Sequence, residues 1–111
     1  MAQIVEVILQ FLARIFDAPG WTADQYDQLI MRMQLGGHSA PGVLFHWAGR
    51  TDSGMKAVDV YDTRAAADRL AQEKIGPLVA ELGLPMPQIS EFDVHGVLTP
   101  VSSTPLSSAP A

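Results

Sequence analysis

The sequence predicts a small α+β domain: a four-stranded antiparallel sheet backed by helices on one face. Three observations predict it. Residues 22–37 carry an amphipathic helical pattern with both ends marked; residues 42–62 hold two apolar, strand-like runs around a short polar turn; residues 62–98 hold a longer helical pattern and then a last strand. At 111 residues, 48% hydrophobic and 17% charged, the chain has the length and composition of one folded domain. That domain is placed at residues 1–98, with 1–8 as an N-terminal extension and the Ser/Pro-rich 99–111 as a disordered tail.

The first strand has to be separated from a helix. In IVEVILQFLARIF, Val5, Val7, Leu9, Phe11, Ala13 and Ile15 alternate as a strand with one buried face would, yet Glu6, Gln10 and Arg14 draw a polar stripe at helical spacing. The β-branched residues, the phenylalanines and the following Asp17-Ala18-Pro19-Gly20 turn favour a strand for the second half. The run has no basic leader and carries three polar residues, so it reads as neither signal peptide nor membrane span.

In WTADQYDQLIMRMQLGG, Thr22 is an N-cap with Gln25 at the third helical position, which forms a capping box. Tyr26, Leu29, Ile30 and Met33 recur on one face, and Gly36-Gly37 is the expected stop. The strands VLFHWAG and MKAVDVYD flank the turn GRTDSG. Asp62-Thr63 then caps a helix whose inner face is expected to hold Ala67, Leu70, Ala71, Lys74, Ile75, Leu78, Val79 and Leu82. Gly76-Pro77 inside it predicts a kink or a split, Gly83 ends it, and QISEFDVHGVL over 88–98 is the last strand. The order β-α-β-β-α-β is the ferredoxin-like arrangement.

Net charge is −5 and the seven basic residues are scattered singly, so no phosphate-neutralising patch exists and nucleic acid is not an expected partner. Without cysteine there is no disulfide, thiolate nucleophile or cysteine-ligated metal, which fits a cytoplasmic protein. His38, His46 and His95 lack metal-motif spacing, and no phosphate loop, nucleophile elbow or dinucleotide fingerprint is present, so no metal or cofactor is expected. The low charged fraction and the one-sided helix layer predict that a second copy of the chain covers the free sheet face.

The segments FDAPGWTADQYDQL, PGVLFHWAG, VDVYDTRAAADRL, GPLVAELGLPMP and FDVHGVL, in this order, resemble small dimeric α+β barrel proteins related to the antibiotic-biosynthesis monooxygenases, common in actinobacteria. The resemblance runs from about residue 11 to residue 98 and implies a homodimer whose two sheets form a barrel with helices outside. Residues 1–10 depart from it. It implies an activity among cofactor-free oxygenation of aromatic polyketides or quinols, haem degradation, or none; no catalytic residue carries over by position.

Strand alternation sorts the polar residues by face. His46 shares a face with Leu44 and Ala48, opposite Val43, Phe45 and Trp47; Asp59 shares one with Tyr61, opposite Val58 and Val60; Asp93 and His95 oppose Phe92 and Val94. With the bulkier apolar set assigned to the helices, His46, Asp59, Tyr61 and His95 fall toward the second sheet. His46 and His95 are the candidate proton acceptors and Asp59 the candidate orienting carboxylate, since imidazole titrates near neutrality. The plainer reading, histidines satisfied at a dimer seam, carries the greater weight. Trp47, Tyr61, Phe45, Tyr26 and Met33, with Leu70, are the candidate ligand-contacting residues, though packing explains them as well. Two readings follow: a homodimeric cofactor-independent monooxygenase acting on a small apolar or aromatic molecule, or a non-catalytic dimerising or ligand-binding module.

Overall fold

The computed structural model describes residues 11–98; the expected extension over 1–8 and the tail over 99–111 lie outside the described residues. Strand β1 (Leu12–Pro19) leads to helix α1 (Ala23–Met33), the hairpin β2 (Val43–Arg50) and β3 (Gly54–Tyr61), helices α2 (Arg64–Leu70) and α3 (Gly76–Glu81), and β4 (Gln88–Asp93). The strands form one antiparallel sheet in the order β2-β3-β1-β4, the ferredoxin-like topology expected from the element order.

Local chemistry explains the helix ends. Thr22 accepts from Gln25 N while the Gln25 side chain accepts from Thr22 N, closing the capping box. α1 stops at Gln34, in the left-handed region at φ 56, two residues before the expected glycine pair. Thr63 caps α2 by accepting from Ala66 N. At the far end Gly83 N donates to Ala80 O and Leu84 N to Val79 O, a Schellman ending.

Between α2 and α3 the chain widens into a π-turn, Ala71–Ile75, where Gly76 N donates to Ala71 O. Pro77 has no N–H, and its ring would collide with the carbonyl four residues back. The extra residue absorbs that collision, and the helix continues without a break. Lys74, expected inward, is exposed, and the buried positions are Ala66, Ala67, Leu70 and Val79.

The register overturns the expected faces. Leu12, Arg14, Phe16 and Ala18 of β1 pair with Tyr61, Asp59, Ala57 and Met55 of β3, and this row faces the helices. A bulge between Val43 and Phe45 moves Val43 onto the same side as His46, which pairs with Asp59. Asp59 and Tyr61 therefore lie under the helices, and Phe45, Trp47, Val58, Val60 and Phe92 take the open face, the reverse of the expectation. Polar groups are tolerated inside because they satisfy one another: among the described residues no buried side-chain nitrogen or oxygen lacks a partner. Arg14, buried beneath α2, donates from Nε to Glu91 (3.0 Å) and from Nη2 to Asp68 (3.2 Å).

Glu91 also accepts from Arg64, and these two arginines, Arg64 foremost, hold its carboxyl below the ordinary 4.5. A depressed carboxylate stabilises the fold fully above its unfolded value and loses that contribution as pH falls through the folded one. Glu91→Gln is thus expected to lower the melting temperature at neutral pH, with the gap to wild type closing as pH falls below the ordinary 4.5 and through the lowered folded value. Thermal melts across that range check this.

Gly42, at φ 83, precedes β2 against α2, where an added Cβ would stand 2.6 Å from the Ala66 Cβ. Gly42→Ala combines backbone strain with a steric clash and is expected to cost about 2–3 kcal/mol, a fall of roughly 10 °C or more in melting temperature.

Candidate active site

A cavity of about 380 Å³ opens between the sheet and α1, closed at one side by Leu70 and Ile75 of the helical segment after β3. Its wall is mainly apolar: Phe16 and Met55 come from the sheet, and Leu29, Ile30 and Met33 from α1. Helical spacing puts Tyr26 on the same face of α1 as Ile30 and Met33. The π-turn carries Ile75 to the cavity, so the Gly76-Pro77 irregularity also shapes the site.

On this wall three polar side chains are joined in series. His46 Nδ1 bonds Asp59 Oδ1, and His46 Nε2 bonds the Tyr26 hydroxyl. The second Asp59 oxygen accepts from the Tyr61 hydroxyl at 2.7 Å. Asp59 is only 4% exposed, so the carboxylate depends on these two partners. An ionised carboxylate only accepts, so a neutral imidazole here carries its proton on Nδ1 and accepts from Tyr26 at Nε2. Burial, then the charges of Asp59 and Asp27, push the Tyr26 phenol above its ordinary value of 10.0. Burial and Asp59 push Tyr61 further in the same direction, and both phenols stay neutral donors.

The candidates separate clearly by place. His46, Asp59, Tyr26 and Met33 line the cavity, as does Leu70; Tyr61 stands behind Asp59 and is fully buried. Phe45 and Trp47 do not line it. They stack on each other across the open face, centroids 5.6 Å apart, because strand alternation turns them away from His46. His95 lies beyond the end of β4, which stops at Asp93 and not at residue 98, and is exposed; it does not join His46. The shorter strand follows from β1, whose pairing with β4 begins at Leu12 opposite Asp93. The Tyr26–His46 contact was missed because it joins a helix to a strand, and no local pattern reports such a distance.

No known family model matches this chain, and no curated protein does. Solved structures match its shape. A protein of unknown function from Nitrosomonas europaea, NE2512, superposes with a TM-score of 0.64 at 16% identity, over 86% of this chain and 99% of that one. SnoaB from Streptomyces nogalater, a cofactor-independent oxygenase, gives 0.53 at 19% over 79% and 93%. The chain shares its α+β architecture with both. A monooxygenase from the gene ActVA-Orf6 of Streptomyces coelicolor, solved with the ligand nanaomycin D, gives 0.52 at 19% over 83% and 93%. Identities this low establish shared architecture and leave the chemistry to the site itself. Among the described residues no helix is long and apolar enough to cross a membrane, and no three His, Asp or Glu side chains converge as a metal site.

Proposed function

We propose that this protein is a homodimeric, cofactor-independent monooxygenase acting on a flat, largely apolar phenol or enolisable ketone. The observation that carries this reading is the apolar cavity with Asp59, His46 and Tyr26 bonded in series on its wall. Such a cavity favours an uncharged ring system. Proton loss to the array leaves an electron-rich substrate anion, and the anion reduces dioxygen. A carbon–oxygen bond forms, and loss of water from the resulting hydroperoxide leaves a carbonyl. One oxygen atom stays in the product and the other leaves as water. The shared architecture with SnoaB supports the same class of reaction. The apolar open face of the sheet supports the dimer.

The test is oxygen uptake with a panel of polycyclic phenols and enolisable ketones, anthrone among them, together with label from ¹⁸O₂ in the product. Uptake is expected with at least one compound, and His46→Gln is expected to slow it by about 10²-fold or more. Compounds that bind without oxygen uptake would replace this reading with that of a non-catalytic binding module.

A further inference from the structure

Resting on that reading, we propose that the Tyr26 hydroxyl, and not the His46 imidazole, is the group that exchanges a proton directly with the bound substrate. Both nitrogens of His46 are already engaged, by Asp59 at Nδ1 and by Tyr26 at Nε2; in the neutral ring Nδ1–H donates to Asp59 and the Nε2 lone pair accepts from Tyr26. The Asp59 carboxylate is held on its other oxygen by Tyr61, so it cannot turn away and release the ring. A substrate proton therefore meets no free acceptor on the imidazole. The Tyr26 oxygen donates its one hydrogen to Nε2 and keeps lone pairs free, and its side chain lines the cavity.

The step then balances. A substrate O–H or C–H bond breaks and its proton joins Tyr26 Oη, while the hydrogen that Tyr26 carried moves to His46 Nε2. The products are the substrate anion, a neutral Tyr26 and an imidazolium facing Asp59. No group is oxidised or reduced in this step, and its reversal returns a proton to a later intermediate. The arrangement has a physical advantage. The positive charge resides on His46 against a buried carboxylate, and the atom touching the apolar cavity is never left charged. Tyr26 is in this account the catalytic residue, and His46 and Asp59 act through it.

The experiment separates proton transfer from oxygenation. Anthrone is incubated without oxygen in D₂O, and exchange of its methylene hydrogens is followed by NMR. Wild type is expected to accelerate exchange over buffer. Tyr26→Phe and His46→Gln should each lower it by about 10²-fold or more, and the double variant should be no worse than either alone. Tyr26→Phe exchanging as fast as wild type while His46→Gln does not would show direct action by His46; the proposal falls and the oxygenase reading stands. Wild type that consumes oxygen with anthrone but does not exchange it also overturns the proposal, and wild type that neither exchanges nor oxidises any compound of the panel removes both. A second measurement needs no variant to turn over. In ¹⁵N-histidine-labelled protein, Nε2 of His46 should keep its hydrogen-bonded signal when anthrone saturates the site. A shift to the Tyr26→Phe position would mean that the ligand displaces the hydroxyl, and would overturn the proposal.

Discussion

Asp59→Asn is expected to lower turnover by about 10³-fold while the protein stays folded. The loss comes from the tautomer. Tyr61, fully buried, has only its hydroxyl hydrogen to give, and it needs an acceptor at Asp59. In the variant the asparagine carbonyl oxygen takes that hydrogen, which leaves the amide NH₂ facing His46. The amide donates to Nδ1, the imidazole proton moves to Nε2, and Nε2 then points a hydrogen at Tyr26 where it formerly accepted one. The relay is blocked although every group is present. Tyr61→Phe in this background removes the competing donor and lets the asparagine turn its oxygen toward His46. The double variant should therefore recover part of the lost rate, although Tyr61→Phe alone costs about 2–3 kcal/mol of stability, because it leaves one oxygen of a buried carboxylate without its donor. Rates of the four proteins, with ¹⁵N shifts of His46 reporting the tautomer, check this. A double variant no faster than Asp59→Asn would sink the tautomer argument.

The sequence carried more of this site than its face assignment suggested. The turn GRTDSG sets the hairpin register: with Arg50 opposite Met55, strict pairing brings His46 opposite Asp59, as observed. Grouping these two residues needed no structure. Their side of the sheet did, because the choice rested on apolar bulk and placed Phe45 and Trp47 under the helices. Here the inner row mixes Leu12, Phe16, Ala18, Val43 and Met55 with polar residues, and Arg14, Asp59, His46 and Tyr61 are accommodated there by pairing across strands and to α1 and α2. Burial follows from satisfied hydrogen bonding as well as from hydrophobicity, and partners on distant elements leave no periodic trace. The bulge at Leu44 was equally silent, since one inserted residue changes which face Val43 takes without changing the composition of the strand. His95 failed for a different reason. The apolar run FDVHGVL continues past Asp93, where β4 ends, so alternation was extended beyond the strand.

Trp47→Asp is expected to dissociate the proposed dimer, raising its Kd by about 10³-fold or more. On the open face Trp47 is 52% exposed and Phe45 43%, the two rings stacked; across the sheet Phe92 is 55% exposed. Between them lie Val58 and Val60 of β3 and Ala13 and Ile15 of β1, so the row from Phe45 to Phe92 is apolar across all four strands. A carboxylate at position 47 replaces the largest apolar anchor on this face with a charge that the paired sheets would have to desolvate. Sedimentation at micromolar concentration should show wild type at twice the 12.0 kDa of the chain and the variant at the chain mass. A monomeric wild type would remove the dimer from the proposal. Turnover should fall with dissociation, and the cause is again the alternation of β2. Phe45 and Trp47 flank His46 in sequence and point to the opposite side, so a partner sheet pressed on those rings fixes the backbone that aims the imidazole at Asp59 and Tyr26. Phe92→Asp, at the far end of the same face on β4, should dissociate the dimer as well but lies away from β2 in the sheet order. If Phe92→Asp dissociates the dimer and keeps full activity, the partner sheet does not hold the site in place.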